Sequence, residues 1–306
     1  MKKIVTLLIA TCCFFTFVGA QTLHVGTYNI RNNNQGDVRE GNGWDKRCPV
    51  VTSLIRFHDF DIFGTQEALY GQIKDMLALL PGYGYIGVGR DDGKQKGEHE
   101  PIFYKTDKFK LLQSGNFWLS ETTDRPNVGW DAALPRICTW GHFQLRENGR
   151  RFWFFNLHMD HIGVKARAES SKLILTKIKE MCGKEQVLLT GDFNVDQTND
   201  GYKLLATSGI LMDSYLTAGI RFASNGTFNA FKPEMKTDSR IDHIFHTKGF
   251  KVSRYGVLTD LYWSPSAANT DSLKASNAPQ EISFQKFEPR LPSDHYPVMV
   301  EVTLTK

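Results

Sequence analysis

The chain is poor in cysteine. Five occur in 306 residues, and two of these, Cys12 and Cys13, fall in an apolar N-terminal stretch. The other three, Cys48, Cys138 and Cys182, are widely spaced. That excludes a disulfide framework and a zinc-finger pattern, and leaves buried thiols as the default, with at most one bridge. Charge of one sign is also lacking: 37 Lys+Arg stand against 33 Asp+Glu. Strong electrostatic binding of a nucleic-acid duplex is therefore not expected. Low-complexity segments and short-period repeats are absent, which excludes linker-like and solenoid architectures. No G-x-S-x-G elbow, G-x-x-x-x-G-K-[ST] loop or H-E-x-x-H helix occurs, so covalent serine or cysteine chemistry is disfavoured.

What the chain does have is apolar mass: 41% of its residues are hydrophobic and 12% aromatic, enough for a large core. Lys2 and Lys3 precede an apolar run over residues 4–18, followed by Val18-Gly19-Ala20. This order predicts a signal peptide at residues 1–20, with Gln21 opening a mature chain exported to the periplasm or beyond. A retained anchor is the alternative, but the run is short for a spanning helix and has no basic stop-transfer flank. A lipoprotein reading through Cys12 is disfavoured, because the apolar run continues past it. Loss of Lys2 and Lys3 lowers the net charge from +4 to +2 and leaves 286 residues. The mature chain is expected to be a monomer with no membrane span.

Residues 23–30 read as a strand, 49–58 as a helix and 61–65 as a strand. Later, 151–158 reads as a strand, 164–182 as a helix and 186–190 as a strand. The helix at 164–182 carries Val164, Ala168, Ile174, Leu175, Ile178 and Met181 on one stripe. Another helix, at 68–80, stops at Pro81-Gly82. Other strands, 100–104 and 110–119, follow one another directly. The mixture predicts two mixed sheets packed together with helices outside. Two long segments, 120–135 and 263–292, read as loops that wall a cleft. Trp130 and Trp263 within them either stack on a ligand or pack beneath the loops.

Polar residues recur where apolar strands end. Pro292-Ser293-Asp294-His295 leads into a strand at 298–304, and an adjacent carboxylate and imidazole suit proton handling near neutral pH. Asn29 ends the first strand. Glu67 follows the second, either as a helix-start acid or as a hard oxygen ligand for Mg²⁺. Glu98, Glu100 and Ile102 share a face by alternation, where one carboxylate would orient a neighbouring histidine. The run 152–157 ends in His158, Asp160 and His161; a zinc pair is conceivable, but no other Cys or His cluster stands nearby. Gly191 reads as a tight turn after which Asp192 and Asn194 point the same way. Asp192, Asn194 and Asp196 mimic a calcium loop, yet Gln197 and Lys203 stand where it needs Gly and Glu. An acid that activates water beside an amide that binds phosphate fits better. Asp242 lies inside an apolar strand and needs a partner, for which His295 is the candidate.

Taken together and in order, TYNIR, TQE, GEHEPIFY, NLHMDH, TGDFN, SRIDHIF and PSDHYP resemble the endonuclease/exonuclease/phosphatase superfamily, in particular its secreted bacterial members that are grouped with deadenylase-like nucleases. The resemblance covers residues 21–306. It implies a deoxyribonuclease I-like, four-layer αββα sandwich and Mg²⁺-dependent hydrolysis of a phosphoester, with Mn²⁺ able to substitute. It also implies roles: Glu67 as principal metal ligand with Asn29 and Asp294 beside it, and Asp192 as the acid acting on water. Asn194 matches its phosphate-binding companion. His158 and His295 match the phosphate-contacting histidines, with Glu98 and Asp242 as their respective partners. His161 is left without a role. The expected activity is a phosphodiesterase or nuclease, endo- or exonucleolytic, acting on nucleic acid or a nucleotide. The alternatives are a phosphatase or phosphodiesterase for a small or lipid-linked phosphoester, and an inactive binding module.

Overall fold

The computed structural model describes residues 22–265, 277 and 279–305. The expected leader lies outside the described residues. Strand β1 (Thr22–Asn29) is followed by helices α1 (Gln35–Arg39) and α2 (Trp44–Phe57), then by β2 (Ile62–Gln66), which runs parallel to β1. After α3 (Tyr70–Leu79), β3 (Tyr83–Ile86) and β4 (Ile102–Lys105) complete that edge. Strands β5 (Phe109–Trp118), β6 (Ile137–Leu145) and β7 (Arg151–His158) form an antiparallel meander that opens a second sheet. Helix α4 (Val164–Cys182) crosses over to β8 (Gln186–Asp192), parallel to β7. Next come α5 (Asp200–Ala206), β9 (Met212–Asp213), α6 (Ser214–Thr217) and β10 (Ile220–Phe222). Strand β11 (Asp242–His246) joins the second sheet, and β12 (Phe250–Val257) returns to the first. A separate ribbon, β13 (Tyr262–Pro265) with β14 (Phe287–Arg290), precedes β15 (Val298–Leu304), which enters beside β1. The sheet orders are β10-β12-β15-β1-β2-β4-β3 and β5-β6-β7-β8-β11-β9.

The burial pattern explains the layering. All of β7 except Arg151 is buried. Phe152 and Phe154 pack between the sheets with Leu23, Val25 and Ile62. Phe155 and Leu157, on the opposite face, pack on Ile174 and Ile178 of α4. A strand covered on both faces has no polar alternation, and hence reads as a continuous apolar run. The outer face of the other sheet shows the same logic: Tyr28, Phe63 and Phe103 meet Val51, Ile55, Ile73 and Met76 of α2 and α3. The result is the expected αββα sandwich. Truncating a central ring such as Phe154, fully buried, costs about 3–5 kcal/mol.

Several boundaries differ from the sequence reading. Helix α2 starts at Trp44, with Pro49 inside it. Proline suits a helix start, but the buried Trp44 and Arg47 hold an additional turn ahead of it. Strand β8 runs on to Asp192, so Gly191 is a strand residue and makes no turn. A Cβ there would lie 2.3 Å from the Leu157 carbonyl oxygen of β7, so close strand approach demands the glycine. The segment 120–135 is a loop, whereas 263–292 contributes to the β13–β14 ribbon. Cys48, Cys138 and Cys182 are buried free thiols. Among the described residues, no helix is long and apolar enough to cross a membrane.

Candidate active site

Sheet register assembles the site. In the β7–β8 pair His158 is opposite Asp192, and in the β8–β11 pair Asp192 is opposite Asp242. Neighbouring strands lie about 4.8 Å apart, so three residues remote in sequence form one row. Across from that row β1 ends at Asn29, and Glu67 directly follows β2. The turn before β15 brings Asp294 and His295 in from the side, and its Ser293 hydroxyl donates to the Asn29 carbonyl at 2.7 Å. Of these groups His158, Asp192, Glu67, Asp294 and His295 line a cavity of about 360 Å³.

The polar contacts are dense. Asn29 Nδ2 donates to Glu67 Oε1 at 3.1 Å and to Asp192 Oδ2 at 3.0 Å. His295 Nδ1 lies 2.9 Å from Asp242 Oδ2, and its Nε2 lies 3.7 Å from Asp192 Oδ2. Asp192 Oδ1 accepts from the Asn194 backbone N–H at 2.9 Å. Asn194 Nδ2 lies 3.2 Å from His158 Nε2 and donates to the Met159 carbonyl at 3.0 Å. Arg31 and Arg136 also line the cavity. Arg31 spans Asp37, at 2.9 Å, and Asp294, at 3.5 Å. Three lining residues, Arg31, Glu67 and Asn194, have φ of 56°, 62° and 50°. That left-handed backbone is unfavourable for side chains larger than glycine and is concentrated at functional sites.

Burial and charge set the protonation states. Burial opposes charge on His295, but the carboxylates of Asp242 and Asp192 overcome it and raise its pKa to about 10. Burial, with the Asp242 charge, pushes Asp192 up to about 7. Burial is the main cause of the raised Asp294 pKa too, and the Glu67 charge adds to it. His158 is driven well below its ordinary range by burial and by the Arg136 and Arg90 charges, so it is neutral. The histidines thus present one cation and one neutral ring to the same cavity.

Every expected site residue except Asp242 lines the cavity or touches its wall, and Asp242 stands behind His295. Glu98, the expected partner, and Glu100 both lie within 4.8 Å of His158; Glu100 is the nearer, and neither acid hydrogen-bonds the ring. Glu100, fully buried, places Oε1 3.8 Å from His158 Nδ1. Glu98 instead binds Arg90, and accepts from Asn32 at 3.0 Å. Asn29 turns its amide nitrogen to the carboxylates, while its Oδ1 accepts from the Arg31 backbone at 3.0 Å. Trp263 is 61% exposed and lies outside the cavity lining. The loop expected as a wall contributes Leu134.

Sequence reasoning missed three features. Phe228 walls the cavity and sets its ring edge-on to His295, with centroids 5.0 Å apart. Arg136 holds His161. Beneath the site, Asn156 clasps the two sheets: its Nδ2 donates to Thr65 O at 2.8 Å, and its Oδ1 accepts from Gln66 at 2.7 Å. The lone amide inside the apolar run 152–157 was the available signal for Asn156.

A sandwich of this topology, with carboxylates, amides and imidazoles at its strand ends, has the architecture of the deoxyribonuclease I-like phosphoester hydrolases. The chain belongs to the Endonuclease/Exonuclease/phosphatase family, whose model matches residues 26–295. It is similar to the crystal structure of a protein of this family from Bacteroides thetaiotaomicron, with 52% identity and a TM-score of 0.86, covering 93% of this chain and 98% of the other. It is also similar to a mannosyl-6-phosphatase of Bacteroides thetaiotaomicron VPI-5482, with 53% identity and a TM-score of 0.85, covering 92% and 99%. Among curated proteins, an uncharacterised protein of Acanthamoeba polyphaga mimivirus is 29% identical over 163 residues, which are 50% of this chain and 60% of the viral protein. The chain thus spans less than two thirds of that relative.

Proposed function

We propose that the protein is a divalent-metal-dependent phosphatase that hydrolyses the phosphomonoester of a phosphosugar. The observation that carries this reading is the shape and charge of the site: the reacting groups lie in a cavity of about 360 Å³ whose wall holds two guanidiniums, Arg31 and Arg136. A small dianion suits such a cavity, whereas a long nucleic acid calls for a basic track along the surface. Likeness to a mannosyl-6-phosphatase supports the sugar.

The donor set fits a hard divalent cation. Burial and the Glu67 charge raise the proton affinity of Asp294, and a cation beside these carboxylates relieves the repulsion. Glu67 and Asp294 would hold it; Asn29 joins them through Oδ1 only by giving up its bond to the Arg31 backbone. Two acid–histidine groups at the cavity wall and behind it, Asp192–Asp242–His295 and Glu98–Glu100–His158, also have ligand-like spacing. In the first, His295 Nδ1 is already committed to Asp242, which favours a hydrogen-bonded relay over a ligand set. A bound divalent ion supplies positive charge to the phosphoryl oxygens. Asp192 orients the attacking water and takes its proton. The His295 imidazolium, held by Asp242, and the Asn194 amide face the charge that grows on phosphorus-bound oxygen. His158, neutral, accepts from Asn194 Nδ2 through Nε2 and so positions that amide. No covalent intermediate is required.

Steady-state kinetics on mannose 6-phosphate, p-nitrophenyl phosphate, bis-p-nitrophenyl phosphate and a single-stranded oligonucleotide test this reading, each with and without chelator. Monoester hydrolysis abolished by chelator is expected. A clear preference for the diester or the oligonucleotide would return the assignment to a phosphodiesterase or nuclease. We also propose that the protein acts outside the cytoplasm after cleavage of residues 1–20; N-terminal sequencing of the exported form from its native host should begin at Gln21.

A further inference from the structure

We propose that His161, held by Arg136, selects a phosphomonoester dianion by binding its additional terminal oxygen. This inference rests on the phosphatase reading above. Arg136 is 4% exposed. Its Nε donates to Asp160 Oδ2 at 3.2 Å, and a terminal nitrogen reaches His161 Nδ1 at 2.9 Å. Asp160 is itself pinned, because its Oδ1 accepts from the backbone of Ile162 at 3.0 Å and of Gly163 at 2.7 Å. The relay Asp160–Arg136–His161 is therefore anchored in buried structure up to its last ring.

A guanidinium only donates, so His161 Nδ1 must accept. That determines the tautomer: the proton of the neutral ring sits on Nε2. His161 is exposed and lines the cavity three residues beyond His158. Its Nε2 has no protein partner among the described residues. An oriented donor at the free end of a buried ion pair, facing a cavity, is a place for an acceptor oxygen. A phosphomonoester has one terminal oxygen more than a diester and more negative charge. Asn194 and His295 attend to oxygens that both esters possess. The acceptor that distinguishes the monoester falls to His161, with the Arg136 charge behind it.

The test compares wild type, His161→Ala and His161→Gln in the full metal-loaded protein, with melting temperatures to confirm folding. Three quantities are read: kcat/KM for p-nitrophenyl phosphate, kcat/KM for mannose 6-phosphate, and the Kd of inorganic phosphate by calorimetry. His161→Ala should weaken all three by about 10- to 100-fold, the size of one lost charge-assisted hydrogen bond. Glutamine, whose amide keeps a donor near the Nε2 position, should recover most of the loss. A deficit confined to mannose 6-phosphate would place the contact on the sugar and overturn the inference, as would an unchanged phosphate affinity. Wild-type protein that hydrolyses neither monoester would sink the phosphatase reading alone, because the phosphate titration still judges His161.

Discussion

Arg47 donates to the carbonyl of Pro292 at 3.0 Å, joining residues 245 apart in the chain. Its other donors reach the carbonyls of Ile30 at 2.7 Å, Asn42 at 2.8 Å and Arg31 at 3.1 Å. A guanidinium with no exposed surface thus ties the exit of β1, with Asn29 and Arg31, to the turn that carries Asp294 and His295. Burial lowers the Arg47 pKa, the cost of keeping a cation there.

Arg47→Met removes every one of these donors and strands four carbonyls. We expect a loss of about 2–4 kcal/mol in urea unfolding, with turnover falling as the two halves of the site drift apart. An unchanged unfolding midpoint would show that the clasp is dispensable.

The Asp242–His295 pair predicts a pH dependence of stability in chelator-treated protein. His295 has a folded pKa of about 10 against an ordinary 6.5. Its contribution is therefore fully present below pH 6.5 and is lost as pH rises through about 10. Melting temperature should decline over that window in wild type and decline less in Asp242→Asn. Parallel curves would refute the pairing.

Asp192→Asn should lower turnover by roughly a hundredfold or more, because it removes the carboxylate proposed to take the proton of water. Glu67→Gln keeps the shape but removes the charge, so it should shift the metal titration of activity to higher concentration. Full activity of the wild type in excess chelator would exclude the metal role of Glu67.

Glu100 and Glu98 separate by substitution. Glu100, pushed up to about 8 by burial, backs His158, whereas Glu98 binds Arg90 and Asn32. Glu100→Ala should cost about tenfold or more in turnover through a loosened His158, and Glu98→Ala less. The reverse ranking in kcat, with both variants folded, would restore Glu98 as the partner.

Much of this was written in local sequence. Apolar runs at 151–158 and 298–304 and the stripe at 164–182 became β7, β15 and α4 with the same bounds. Polar residues at strand ends marked Asn29, Glu67, His158, Asp192 and Asp294, because a carboxylate or amide that ends an apolar run must lie at the rim of the core. Periodicity and chain ends are properties of near neighbours, so they survive in one dimension. Tertiary structure alone decided which of those residues meet. Sheet register put His158, Asp192 and Asp242 in one row, and the packing of one sheet on the other set Glu100 nearer His158 than Glu98, although alternation gave both the same face. Tertiary packing did more. It buried Arg47 against Pro292, set Asn156 between the sheets, and turned Arg136 onto His161. Each of these contacts joins separate segments through the crossing of two sheets or the closing of a loop. Their partners are chosen by distance in space, of which the spacing along the chain carries no trace.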